Sequence, residues 1–328
     1  MRLAILFWFY KDFHLCVERI ALLRQLNPGT PVYGLYGGAP EEAEDARRTL
    51  GARLDDWYEF HGPTDKHWRW LHGDELIAAW MRDRGHSLAW DTVVIAQWDH
   101  LFLAPMGQLF GDLQIDEAVF SGFRPLDEVR DWWGWAGGRD EDRRARLEQF
   151  EAVLRTDLGY AGPLWCCLFI VACLPRSFLA RYAAEAPVEA GFLEYKMPTL
   201  AKAWGVPVRT DLGLRPWWAA DPQTKDAPAE ARVLNAVGQE PTLKTIAAEL
   251  ARPEGARVFH PCGHVLPDAL KKVVMAQAAE FIGPEPGLKV AVLLRTHVMT
   301  ENVRRSIALL SGGRGYDFFV LAHEEPGR

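Results

Sequence analysis

A chain of 328 residues has room for about two ordinary domains, or for one large α/β domain with an appendage, and needs no disulfide or metal staple to hold a core. Its 49% hydrophobic and 25% charged residues exclude a disordered chain. The 37 basic against 44 acidic residues, a net charge of −7, argue against a surface that wraps nucleic acid.

The opening run MRLAILFWFYKDFHLC has no small-residue cleavage site and reads as a first strand, not a signal peptide. No apolar run approaches the roughly 20 residues of a membrane-spanning helix. The five cysteines are odd in number and show no Cys-x-x-Cys spacing, so buried reduced thiols and a cytoplasmic location are expected.

Residues 2–9 are apolar without alternation, as in a strand covered on both faces. Helical spacing follows over 13–26 and stops at Asn27-Pro28-Gly29. A short strand (31–36), the pair Gly37-Gly38 and a charged helix (41–50) complete a β-α-β-α opening, the signature of a doubly wound α/β sheet. Beyond it come a helix over 74–84, a buried strand over 92–96 and a polar insertion over 127–155 holding one helix from 141 to 154. The spacing then predicts a strand over 164–174, helices over 178–185 and 197–204, a strand over 206–210, a helix over 242–250 and a strand over 257–264.

After the compact Gly283-Pro284-Glu285-Pro286-Gly287 the chain repeats its beginning. Arg2-Leu-Ala-Ile-Leu-Phe7 aligns with Lys289-Val-Ala-Val-Leu-Leu294, and without a gap Ile20-Ala-Leu-Leu23 falls on Ile307-Ala-Leu-Leu310. The expected organisation is a domain over 1–282, a linker over 283–287 and a β-α-β unit over 288–328. Such a unit is too small to stand alone. It reads either as the truncated start of a second, similar domain, the chain then being a fragment of a tandem protein, or as a unit packed on the first domain.

Four stretches carry candidate chemistry. Asp91-Thr-Val-Val-Ile-Ala-Gln97-Trp-Asp99-His-Leu-Phe-Leu-Ala-Pro105 leads a buried strand into a carboxylate; Val258-Phe-His260-Pro-Cys-Gly-His264 ends a late strand in histidines. Gly159-Tyr-Ala-Gly-Pro-Leu-Trp-Cys-Cys-Leu-Phe-Ile-Val171 is followed by Phe192-Leu-Glu194-Tyr-Lys-Met197. Phe9-Tyr10-Lys11 and Tyr36-Gly37-Gly38 end the first two strands, where open α/β sheets bind ligands.

These motifs and the order of elements over about residues 2–267 resemble the nucleotide-sugar glycosyltransferases of the GT-A fold. The resemblance implies a Rossmann-like, mixed, mostly parallel sheet flanked by helices, and transfer of a sugar from a nucleoside diphosphate sugar to an acceptor hydroxyl. It further implies an Asp-x-Asp strand end whose carboxylates hold Mn²⁺ or Mg²⁺ at the donor diphosphate, completed by a late His. Here Asp99 remains, Gln97 occupies the first acidic position without charge, and His260 is the better match to the late His, ahead of His264. Glu194 then matches the carboxylate that deprotonates the acceptor hydroxyl in inverting relatives. Each residue also has a plainer reading: Asp99 as a turn cap, the histidines as satisfied side chains, Glu194 as a favourable charge at a helix N-terminus.

Phe9, Tyr10, Lys11 and Gly37 are expected to face the nucleotide. Asp74 would bind the ribose or base, or else cap its helix. Among the 14 tryptophans, Trp132 and Trp133 sit in the polar insertion and are the expected acceptor-binding pair, on a lid or flap. Two other functions stay open: a catalytically degenerate binder of nucleotide sugars or carbohydrate, kept alive by Gln97, and a nucleotidyltransferase, which would want a glycine-rich loop where Phe9-Tyr10-Lys11-Asp12 stands.

Overall fold

The computed structural model describes residues 1–63, 65–136, 140–187, 189–282, 292–296 and 318–322. The unbroken apolar run at the start forms β1 (Leu3–Phe9), buried from Ala4 onward. Next come α1 (Phe13–Leu26), β2 (Val32–Tyr36), α2 (Ala43–Leu50) and β3 (Asp56–Glu59). The Trp- and Arg-rich stretch that follows holds α3 (Lys66–Leu71) and α4 (Gly73–Asp83), the second almost wholly buried, and β4 (Thr92–Gln97) completes the first half. Then follow β5 (Leu101–Phe102), α5 (Met106–Phe110), β6 (Ala118–Phe120), β7 (Arg124–Pro125), α6 (Glu141–Thr156), β8 (Trp165–Cys166), β9 (Ala172–Pro175) and α7 (Arg176–Glu185). The last elements of this part are α8 (Leu193–Ala203), β10 (Val208–Arg209), α9 (Leu243–Leu250), β11 (Val258–Phe259) and α10 (Asp268–Ile282).

Seven strands make one sheet in the order β10-β6-β9-β4-β1-β2-β3, and β9 alone runs antiparallel to its neighbours. The architecture is therefore α/β, with a mixed, mostly parallel sheet flanked by helices. Consecutive β1 and β2 pair on one side of β1, while β4 pairs on the other, with Trp8 beside Gln97. That reversal between β1 and β4 is the switch point at which such sheets open a crevice beyond the strand ends.

Three expected elements differ. The apolar stretch 164–174 is not one strand: it breaks into β8 and β9. Leu168 N–H donates to the Ser121 carbonyl, Phe169 N–H to Glu194 and Val171 N–H to Ser121 Oγ, so the intervening backbone leaves the ladder. The expected helix over 197–204 begins four residues earlier, which puts Glu194 in its first turn. The strand expected over 257–264 is only two residues long, because the backbone of His260 and Cys262 bonds instead to Val233 and Asp99.

The chain divides into two compact units, Met1–Ala278 and Ala279–Arg328. In the second, β12 (Val292–Thr296) pairs in parallel with β13 (Phe318–Ala322). The expected linker and the Ile307–Leu310 helix lie outside the described residues. Among the described residues, no helix is long and apolar enough to cross a membrane.

Candidate functional site

The parallel register of β1 and β4 brings Tyr10 and Trp98 out of the sheet side by side, their ring centroids 5.9 Å apart. Behind them the chain turns tightly: Gln97 N–H donates to His100 Nδ1 at 3.1 Å. That bond requires a lone pair on Nδ1, so the neutral ring carries its proton on Nε2. Burial, then the neighbouring His260, drives the His100 pKa well below the usual histidine value. β11 pairs antiparallel with β5, setting Phe259 against Leu101, and Cys262 N–H donates to the Asp99 carbonyl. His260 is thereby carried beside Asp99, although 161 positions separate them in sequence. Arg19, buried in α1, secures this late loop by donating to the carbonyls of Cys262 and His264, both at 2.8 Å.

His260 Nδ1 lies 2.7 Å from the Asn235 carbonyl and donates to it, and its Nε2 faces Asp99 Oδ1 at 3.5 Å. That carboxylate oxygen is buried and has no hydrogen-bond partner. With the ring neutral, two acceptors face each other and fit a divalent cation; with Nε2 protonated, the same pair is an ion pair. The ligand atoms of Asp99, His100 and His260 all lie within 4.8 Å of one another. His100 is a poor ligand, since its Nδ1 lone pair is taken and its Nε2 carries the proton. One carboxylate and one imidazole suit Mn²⁺ better than Mg²⁺, with water or phosphate oxygens filling the other positions. His264 lies outside this group, 3.5 Å from Glu240.

Asp99 and His260 line a cavity of about 340 Å³ with Trp8, Tyr10, Lys66, Arg69, Trp70, Gln97 and Glu194. A second cavity of about 180 Å³ shares Trp70, Glu194 and Ala236 with the first. Its walls are aromatic: Trp132, Trp133, Trp135, Trp217 and Trp218, with Arg143 stacked 3.9 Å over the Trp135 ring. Glu194 stands at the junction. Its Oε1 accepts from Phe169 N–H at 2.8 Å, and burial pushes its pKa up to about 8, a rise this hydrogen bond only partly opposes.

The structure thus gathers Tyr10, Gln97, Asp99, Glu194 and His260 around one cavity and Trp132 and Trp133 around its neighbour. Gln97 donates its amide to the Phe169 carbonyl at 3.1 Å. Trp133 is buried against Phe192 and Trp218, so it is built into the body of the domain and not carried on a flap. Gly37 acts through its backbone, its carbonyl accepting from Arg69. Lys11 is half-exposed above the Trp98 ring and does not line the cavity.

Besides Lys11 and Gly37, neither of which lines the cavity, two further expected donor contacts lie elsewhere. Phe9 is fully buried in the core between Phe7, Tyr36 and Trp57. Asp74 neither caps its helix nor reaches the cavity: it is fully buried, 2.8 Å from Lys196 Nζ, and accepts from the Tyr182 hydroxyl at 2.5 Å. Sequence reasoning passed over Lys66, Arg69, Arg19 and Asn235. For the first two a signal existed, the alternation Lys66-His67-Trp68-Arg69-Trp70; nothing local marks Arg19 or Asn235.

A larger cavity, about 410 Å³, lies between residues 212–215, 228–234 and 249–258. Two of its arginines are already committed, Arg257 to the carbonyls of Glu249, Gly255 and Ala256, and Arg252 to Glu249. It contains none of the groups above.

No family model matches the chain, and no curated protein matches it. Among solved structures, one that resembles it is described as the apo structure of the WbbM bifunctional glycosyltransferase, at 12% identity and a TM-score of 0.40. The match covers 84% of this chain and 50% of that one, so the chain spans half the length of that structure.

Proposed function

We propose that the protein is a glycosyltransferase of the GT-A kind, transferring a sugar from a nucleoside diphosphate sugar to an acceptor hydroxyl. The observation that carries this reading is Glu194: one buried carboxylate lies where a polar cavity at the β1/β4 switch point meets a tryptophan-lined one. Two substrates held in adjoining cavities, with a base between them, are what group transfer to a hydroxyl requires. The donor occupies the first cavity, with its diphosphate toward Asp99 and His260. When bound, Mn²⁺ held by these two residues supplies positive charge for the diphosphate. The acceptor lays an apolar sugar face on Trp132 and its neighbours. Glu194, with Oε1 engaged by Phe169 N–H, takes the hydroxyl proton on its other oxygen. Exclusion of water by the aromatic walls favours transfer over hydrolysis.

Gln97 supports a second reading, binding without turnover, because its amide is tied to the Phe169 carbonyl and brings no charge. A thermal-shift and turnover panel of nucleotides and nucleotide sugars, with and without Mn²⁺, decides. The transferase reading expects stabilisation by one nucleotide class and slow hydrolysis of its sugar conjugate, abolished in Glu194→Gln. Stabilisation with no turnover would favour the binder, and no stabilisation by any nucleotide would remove both.

A further inference from the structure

The charges in the first cavity are unusual in what they lack. Elsewhere in the chain many arginines face a carboxylate, as Arg24 faces Asp55 and Arg84 faces Asp56. Arg69 does not. Its Nη1 donates to the Gly37 carbonyl at 2.8 Å, and its guanidinium lies 4.4 Å from the centre of the Tyr10 ring. Both partners are neutral, so the full charge stays available, and among the described residues no other hydrogen bond engages the remaining guanidinium donors.

The support under Arg69 is rigid. A Cβ at position 37 would come within 2.4 Å of Leu76 and 3.1 Å of Trp8 Nε1, so the turn that presents this carbonyl is tightly packed. Three residues earlier, and so on the same side of α3, Lys66 also lines the cavity and makes no ion pair among the described residues. Its neighbour Asp65 is committed to capping α3 through Trp68 N–H at 2.9 Å. Asp99, Glu194 and His260 line the same cavity, with the uncharged Gln97.

Resting on the glycosyltransferase reading, we infer that Lys66 and Arg69 are the seat of the donor diphosphate, carrying its charge on side chains so that a nucleoside diphosphate binds without a divalent cation. An ammonium and a guanidinium prefer phosphate oxygens to neutral sugar hydroxyls. A cavity with Gln97 where the resemblance expects a carboxylate, and with two cations that make no ion pair among the described residues, carries the neutralising charge on the protein. The cation at Asp99 and His260 then adds to binding and is not its condition.

The test is titration calorimetry of UDP, GDP, ADP, CDP and dTDP, with inorganic pyrophosphate as a probe that has no base, in EDTA and in Mn²⁺. Wild type is compared with Lys66→Gln, Arg69→Gln, Arg69→Lys and Asp99→Asn, each first shown by circular dichroism to fold. One nucleoside diphosphate, and pyrophosphate more weakly, is expected to bind in EDTA. Lys66→Gln and Arg69→Gln should each weaken that binding about tenfold or more, and Arg69→Lys should recover part of the loss. Asp99→Asn should remove the further affinity that Mn²⁺ adds in wild type.

Nucleotide binding that requires Mn²⁺ and is indifferent to the Lys66 and Arg69 variants would overturn this inference and leave the glycosyltransferase reading standing. Failure of every nucleoside diphosphate to bind in either buffer would overturn both. Should Arg69→Gln not fold, Lys66→Gln and Arg69→Lys still decide.

Discussion

Glu194 is the residue whose chemistry is most exposed to test. No charged side chain contributes to its raised pKa; burial does, and the Phe169 N–H opposes it. Two opposite pH dependences follow. As a base it must be ionised, so turnover should rise with pH through a midpoint near 8. For stability the sign is reversed: its pKa is higher folded than unfolded, so its contribution is fully present below the ordinary value of 4.5 and is lost as pH rises toward about 8. Thermal unfolding of wild type against Glu194→Gln across this range should show the slope in wild type alone, and the variant should lose turnover by about 100-fold or more. A flat difference between the two proteins would mean that the carboxylate is ionised throughout and not held by burial.

Sequence legibility at this scale depended on position along a strand. Asp99 and Gln97 were readable because they end an apolar run, and Glu194 because it opens a helical pattern. Phe9 and Asp74 misled for one reason: a side chain's direction at an element's end is set by what packs against it. Phe9 turned to Tyr36 and Trp57, and Asp74 to Lys196, a partner 122 residues away that no local pattern announces.

Among elements, the pairing of α4 with α8 decides how Glu194 is held, because α8 also carries Lys196. That ammonium lies 2.8 Å from Asp74 and 2.7 Å from Glu75, all three buried. Burial works against the charge, but the two carboxylates outweigh it and hold the Lys196 pKa above the usual lysine value. Lys196→Met keeps the apolar stem but leaves two buried carboxylates without a counter-charge, and should destabilise by about 3–5 kcal/mol in urea unfolding. A loss under about 1 kcal/mol would show the carboxylates protonated and the ion pair dispensable. Most elements with clear periodicity were legible, α1 to the residue. Of those missed or misdrawn, β3, α3, β5, α5, β6 and β7 have six residues or fewer and the split between β8 and β9 is shaped by hydrogen bonds to Ser121 and Glu194, whereas α10 was missed despite its 15 residues.

At the scale of the whole molecule, the question is how much of the chain the site needs. One hydrophobic cluster runs from Ala4 to Val258, and every residue lining the two joined cavities lies between Trp8 and His260. The parallel pairing of β12 with β13 matches that of β1 with β2, as two copies of one β-α-β unit would. The proposal that residues 288–328 begin a second, similar domain rests on this and on the aligned sequences. Some 40 residues cannot bury a core of their own. A chain ending at Ile282 keeps all of α10 and should melt within about 4 °C of the full chain, a difference of about 1 kcal/mol. It should also bind the same nucleoside diphosphate within twofold, measured side by side by calorimetry. A larger drop in melting temperature, or lost binding, would mean that the last 46 residues (283–328) belong to the first domain's core or its site, and the tandem reading of the sequence would then give way to a single domain with a late-added sheet.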